Sequence, residues 1–266
     1  MIDLHCHVLP GIDDGPDRME QSLALARAAS ATGVEALVAT SHVNWDYRND
    51  SATIATLAAD LEMLLAASDA RGEPAVKVLP GAEVAATLVM DIDREELSRL
   101  GLGGGRWLLL EPPLTTSVSG LDAVVAELQA RGHGVLLAHP ERCPAFHRDT
   151  RMLESLIEAG ALTSITASSL TGRFGSTVRR FSYALLAADA VHNVASDFHD
   201  LSARPPGMSA SLAEAGLGAL GEWLTYDVPL AILEDREIPP RPPVSVPIAP
   251  VRRRRGLFTR TLRRAS

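Results

Sequence analysis

The sequence predicts an α/β protein with a parallel sheet closed, or nearly closed, into a (β/α) barrel. An open doubly wound sheet is the competing arrangement. Three observations lead there. Seven short apolar runs alternate with helical stretches, the pattern of parallel strands joined by crossover helices. The 266 residues suit one large barrel domain. No G-x-G-x-x-G follows the first strand and no G-x-x-x-x-G-K-[ST] occurs, so the nucleotide-binding form of the open sheet lacks its main support.

The strands are expected at Ile2–Leu4, Ala36–Ala39, Val76–Leu79, Trp107–Leu110, Val135–Ala138, Leu162–Thr166 and Ala190–Ala195. Each is short, apolar and bounded by glycine or polar residues. Asp17, with Glu20 three residues on, reads as the capping box of the first helix, and Gly33 as its close. Ile54, Leu57, Leu61 and Leu64 recur at helical spacing and predict one buried stripe. Leu121–Arg131, Thr150–Ala159 and Ser176–Ala188 complete the helices. From Pro239 six prolines fall within twelve residues, which opposes helix and interior strand. Residues 1–238 are therefore expected to form the barrel, and 239–266 an extended linker and tail.

Composition narrows the class. With 46% apolar and 22% charged residues the chain is an ordinary globular protein. Two cysteines, Cys6 and Cys143, exclude a disulfide framework or a four-cysteine zinc site. No apolar run reaches the ~18 residues of a membrane span, and the first residues show no secretory pattern, so a cytoplasmic enzyme is expected. The net charge of −8 conceals seven arginines and no acid in residues 252–266, leaving −15 for residues 1–251. An acidic body argues against a nucleic-acid partner. The basic tail suits peripheral contact with anionic lipid, aided by Leu257, Phe258 and Leu262.

Ionisable residues fall where the strands end. The first strand runs into His5-Cys6-His7, the second into His42, the third into Gly81-Ala82-Glu83. The fourth ends in Glu111, the fifth in His139, and the last in Asp197-Phe198-His199. In a parallel barrel these ends share one face, so distant residues converge. Period-two alternation points His5 and His7 one way and Cys6 the other, and likewise Asp197 and His199 against Phe198. Imidazoles and carboxylates facing one cavity need a counter-charge, which a cluster of divalent cations supplies. Nitrogen and oxygen donors without thiolate suit zinc, manganese or iron. His133, His147 and His192 lie outside this pattern and read as surface or satisfied core histidines.

The opening Met1-Ile-Asp-Leu-His-Cys-His7 and Pro10-Gly-Ile-Asp-Asp-Gly-Pro16 resemble bacterial protein-tyrosine phosphatases of the polymerase-and-histidinol-phosphatase (PHP) superfamily, the manganese-dependent type tied to capsule and exopolysaccharide synthesis. Ala39-Thr-Ser-His42, Gly81-Ala-Glu83, Leu109-Leu-Glu111, His139-Pro-Glu-Arg142, Ser169–Gly175, Ser196-Asp-Phe-His-Asp200 and Arg204-Pro-Pro206 extend the resemblance over about residues 1–235. It implies a distorted (β/α)7 TIM-like barrel, the PHP fold, with three metal ions, manganese first and iron or zinc as alternatives. One ion would take His5, His7, Glu83 and Asp197. A second would take Glu83, Glu111 and His139, and a third Asp14, His42 and His199. The implied partner is a phosphotyrosine protein, namely a membrane-associated bacterial tyrosine kinase.

Arg142 and Arg204 are the guanidinium candidates for phosphate oxygens, because a planar fork matches that geometry. His199 or a water is the candidate proton donor to the leaving phenolate. Cysteine-dependent tyrosine phosphatases need arginine six residues after the nucleophile. Ile12 and Asp149 stand there instead, so thiol chemistry is not expected. A lysine-bridged amidohydrolase site is disfavoured because Lys77, the one lysine, precedes the strand end. Hydrolysis of a small phosphomonoester such as histidinol phosphate, and a non-catalytic kinase regulator, are the rival functions.

Overall fold

The computed structural model describes residues 1–69 and 76–243. Seven parallel strands follow in sequence order round one sheet: β1 (Ile2–Cys6), β2 (Ala36–Val43), β3 (Lys77–Ala85), β4 (Trp107–Glu111), β5 (Gly134–Ala138), β6 (Leu162–Thr166) and β7 (Asn193–Ala195). Helices separate them: α1 (Met19–Ala31), α2 (Ser51–Asp69), α3 (Arg94–Arg99), α4 (Leu121–Ala130), α5 (Pro144–Arg148), α6 (Thr150–Glu158), α7 (Ala167–Thr171) and α8 (Ser176–Ala187). After β7 come α9 (Met208–Ala215), α10 (Ala219–Glu222), a π-helical turn at Trp223–Asp227, and α11 (Val228–Leu233).

The barrel is nearly closed. No ladder joins β7 to β1; instead Asp197 N–H donates to His5 O at 2.8 Å and His7 N–H to Phe198 O at 2.9 Å. Beneath this seam Asp3 is buried, and its carboxylate accepts from Ser196 N–H, Ser196 Oγ–H and His5 N–H. The C-terminal helical segment packs on β1 and β7.

Register carries the site. β2 pairs with β3 without interruption from Ala36↔Lys77 to Val43↔Val84, so His42 lies beside Glu83. Ala85↔Glu111 brings Glu111 level with the end of β3. Outward residues Leu4 and Cys6 are fully buried under the helices while Asp3 and His5 face inward, as alternation requires.

Several expectations need correction. The cap of α1 is not Asp17 with Glu20. Gln21 Oε1 accepts from Asp17 N–H at 2.8 Å and Arg18 N–H at 3.1 Å, because the helix starts at Met19 with Arg18 as its cap, one residue later than the Asp17 cap implies. Gly33 does end it: with φ 90° it donates to Ser30 O while Val34 N–H reaches Ala29 O, a Schellman closure. The stripe of α2 is Ile54, Ala58, Leu61 and Leu65; Leu64 is exposed. The last strand begins at Asn193, not Ala190. Trp223 Nε1–H donates to Pro239 O. Arg241 donates to Leu186 O and Val191 O and pairs with Asp189, so the proline-rich segment starts against the barrel. The arginine-rich tail lies outside the described residues.

Candidate metal centre

All nine expected metal ligands meet at the C-terminal mouth of the barrel. His5 Nε2 lies 3.4 Å from His7 Nε2, 3.1 Å from Glu83 Oε2 and 3.5 Å from Asp197 Oδ1. His7 Nε2 lies 3.3 Å from the same Glu83 oxygen and 3.6 Å from that of Asp197. Four ligands tetrahedrally placed at about 2.1 Å from one cation are about 3.4 Å apart, the spacing of the pairs just given. Among the described residues, the groups whose donor atoms all lie within 4.8 Å of one another are His7–Asp14–His42–His199, His5–His7–Glu83, His5–His139–Asp197 and His42–Glu83–Glu111, so Asp197 falls in with His5 and His139 and not with Glu83. Asp14 Oδ1 stands 3.5 Å from His42 Nε2 and 3.2 Å from His199 Nε2. His139 Nε2 is 2.8 Å from Glu83 Oε1 and 3.9 Å from Glu111 Oε1.

Glu83 sits at the centre. Its Oε2 is buried and accepts no hydrogen bond among the described residues, although nitrogens of His5, His7 and His42 all stand within 3.3 Å. A buried carboxylate oxygen ringed by three imidazole nitrogens, with no well-formed hydrogen bond to any of them, is suited to a cation. The donor set, all nitrogen and oxygen, fits manganese, iron or zinc.

The electrostatics show the same demand. Burial opposes charge on Glu83, yet His5, His139 and His7 hold it well below the usual carboxylate range. Asp197 is held low by His5, His139, Arg204 and Arg142 against the same burial penalty. Burial also opposes protonation of His7, but Asp13 and Glu83 outweigh it and push it up to about 10. Burial, then the charge of Glu83, raises Glu111 to about 7. Protons on His7 and Glu111 stand in for cationic charge. Burial, then Arg142, lowers His139 to about 4.

Asp197 and His199 converge for a reason other than strand alternation. β7 ends at Ala195, and Asp197 takes φ 53°; His139 likewise takes φ 32°. Left-handed backbone in non-glycine residues is strained; of the four such residues described, Asp197 and His139 are candidate ligands and Asp189 and Asp235 are not. Phe198 and Cys6 pack away from the site, fully buried, as expected. His199 Nδ1–H donates to Asp197 O at 3.2 Å, leaving the Nε2 lone pair to accept from Arg204 at 2.8 Å. The same Nε2 lies 3.2 Å from Asp14 Oδ1, so it faces a carboxylate as well as a guanidinium.

Arg142 and Arg204 both reach Asp197 Oδ2, at 2.6 and 2.5 Å. Arg142 also lies over the Phe174 ring, 4.6 Å from its centroid.

Sequence reasoning missed Asp13. Its Oδ2 accepts from His7 Nδ1–H at 2.9 Å and His42 N–H at 3.1 Å, and its Oδ1 from Gly15 N–H. It fixes the His7 tautomer so that Nε2 faces the centre. Glu141 was missed as well. It is buried, accepts from Thr166 N–H and Ser169 Oγ–H, and ties the His139–Arg142 turn to the end of β6. Tyr47, stacked on His42 at 5.9 Å with an 8° interplanar angle, is a third. The three histidines set aside lie outside the centre: His147 pairs with Glu141 O and His192 with Thr163, while His133 Nδ1 meets Arg106 O and its buried Nε2 has no partner among the described residues. Both thiols are buried and raised, and Cys6 Sγ–H donates to Val38 O. Lys77 is the exposed first residue of β3, at the opposite end of the barrel.

Known proteins share this architecture. The chain is 34% identical over 205 residues to the tyrosine-protein phosphatase YwqE of Bacillus subtilis (strain 168), covering 77% of this chain and 79% of YwqE. It is 29% identical over 251 residues to the tyrosine-protein phosphatase CpsB of Streptococcus pneumoniae, covering 90% of this chain and all of CpsB. A chain from the crystal structures of YwqE and CpsB, described as unique metal-dependent tyrosine phosphatases, superposes with a TM-score of 0.77 at 31% identity. That match covers 92% of this chain and 100% of the other. Residues 1–216 match the family model for capsular polysaccharide synthesis, CpsB/CapC, and this chain is a member of that family.

Proposed function

We propose that this chain is a metal-dependent protein-tyrosine phosphatase. The observation that carries the reading is the His5–His7–Glu83 cluster with two guanidiniums, Arg142 and Arg204, meeting at Asp197 on its edge. The activities named for YwqE and CpsB support it. In this reading His5, His7, Glu83 and Asp197 hold one cation, Glu83, Glu111 and His139 a second, and Asp14, His42 and His199 a third. Manganese is the first candidate, with iron or zinc as alternatives. Bound divalent cations supply charge neutralisation and activate water for attack on phosphorus.

The protein's own residues do the rest. Arg142 and Arg204 offer planar forks to the non-bridging phosphate oxygens and orient the ester for in-line attack. Phe174 holds the Arg142 guanidinium over its face. Asp13 and Glu141 keep His7 and the 139–142 turn in place. Phenolate, from a phenol of pKa about 10, leaves without a strong acid, so His199 serves as ligand and water supplies the proton.

The proposed substrate is an autophosphorylated, membrane-associated bacterial tyrosine kinase in the cytoplasm. Residues 1–238 are the catalytic barrel, and the arginines of residues 252–266 give peripheral contact with anionic lipid. No described helix is long and apolar enough to cross a membrane. The test is phosphate release from a phosphotyrosine peptide, with a phosphoserine peptide and histidinol phosphate alongside, in manganese and in chelator. Release from phosphotyrosine alone is expected, lost in chelator and in His5→Ala and reduced at least ~100-fold in Arg142→Ala. Faster release from histidinol phosphate would overturn the substrate assignment.

A further inference from the structure

The segment Ser169–Gly175 has one side chain that the chemistry above does not use. α7 ends at Gly172, with φ 89°, and α8 is preceded by Gly175, with φ 92°. Gly175 N–H donates to Gly172 O at 3.0 Å, and Arg173 N–H to Ser168 O at 3.1 Å. The two left-handed glycines make a tight turn that displays only Arg173 and Phe174. Phe174 turns to Arg142. Arg173 turns to a cavity of about 130 Å³ that it lines with Arg204, Asp197, Ser168 and Ser211. That cavity adjoins the metal centre through Asp197 and Arg204.

Its charge is unbalanced. Asp197 is the one acid in the lining; its Oδ2 is held by Arg142 and Arg204, and its Oδ1 faces His5 and His7. The Arg173 side chain is exposed and makes no hydrogen bond or ion pair among the described residues. A free guanidinium on an acidic protein, beside a cavity lined by Ser168, Ser211 and Ser196, the last already donating to Asp3, is a receptor for an oxyanion.

We propose that Arg173, with Arg204, forms a second anion subsite that takes a carboxylate or a second phosphate next to the scissile phosphotyrosine. This rests on the phosphotyrosine reading above. The cavity shares Asp197 and Arg204 with the metal centre, so one substrate can reach both. The enzyme would thus favour tyrosines phosphorylated in acidic or multiply phosphorylated stretches.

The test uses metal-loaded enzyme and three phosphotyrosine peptides that differ at one neighbouring position: Gln, Glu or a second phosphotyrosine. KM and kcat are measured for each, with p-nitrophenyl phosphate alongside. Kd is read in parallel by fluorescence anisotropy on non-hydrolysable phosphonate versions. KM and Kd are expected about fivefold lower for the Glu peptide and about tenfold lower for the doubly charged one. Arg173→Gln should erase both preferences and leave kcat for p-nitrophenyl phosphate within about twofold, while Arg173→Lys keeps part of them. Wild-type enzyme that binds all three peptides alike overturns the subsite. So does an Arg173→Gln enzyme weakened equally toward all, which would mark a structural role for the turn. Preference in Kd without hydrolysis of any peptide would instead overturn the phosphatase assignment and leave the subsite standing.

Discussion

Asp13 decides what His7 can do. An imidazole offers a lone pair at one nitrogen only when the other holds the proton, and Asp13 Oδ2 claims that proton at Nδ1. The same carboxylate accepts from the backbone N–H of His42, so one residue positions ligands on two strands. Asp13→Ala should therefore weaken metal binding about 10–100-fold while the fold persists, read by competition with a fluorescent chelator. Asp13→Asn should weaken it less, since an amide oxygen still accepts from Nδ1–H. Affinity unchanged in both variants would remove Asp13 from the site. The sequence presents Asp13 and Asp14 as equivalent neighbours. Nothing in their order reveals that one faces the cavity and the other braces a histidine, because that choice is made by the turn through Gly15.

At the scale of elements, the strand ends were readable because each parallel strand must deliver its C-terminus to the same face. Apolar run followed by His, Glu or Asp is a local pattern, and register then does the convergence, as in His42↔Glu83. Legibility failed where backbone conformation replaced periodicity. Asp197 reaches the centre through φ 53°, beyond the end of β7, and no alternation rule foresees that. Helix faces were half legible. Leu57, Leu61 and Leu64 all fit a 3.6-residue repeat, but the stripe that meets the barrel runs Ile54–Ala58–Leu61–Leu65. Small Ala58 sits at a contact that a search for large residues overlooks. The two leucines are thus a matched test: Leu61→Ala should cost about 3 kcal/mol by denaturant unfolding, and Leu64→Ala under about 1 kcal/mol. Equal losses would mean that the stripe lies elsewhere.

Across the whole molecule the metal centre is the place where folding, charge and pH meet. The barrel brings six strands' worth of imidazoles and carboxylates to one end of a body already carrying −15 over residues 1–251. Cations that bind the folded centre and not the unfolded chain stabilise by mass action, about 2.7 kcal/mol at a hundred times Kd, or roughly 5–10 °C in Tm. That gain must depend on pH in a stated direction. Without cations, His7 is pushed up to about 10 from an ordinary 6.5, so its proton stabilises the fold fully below pH 6.5 and is lost as pH climbs toward 10. Glu111, raised to about 7 from 4.5, likewise makes the metal-free protein lose stability as pH rises through that interval. A cation displaces both protons, so its binding tightens as they become easier to release. The Tm increment on adding manganese to chelator-stripped protein should therefore be larger at about pH 8.5 than at about pH 6.5, and His7→Gln should flatten the trend. An increment that stays level or shrinks over that range would show that neither His7 nor Glu111 gives up a proton to the metal.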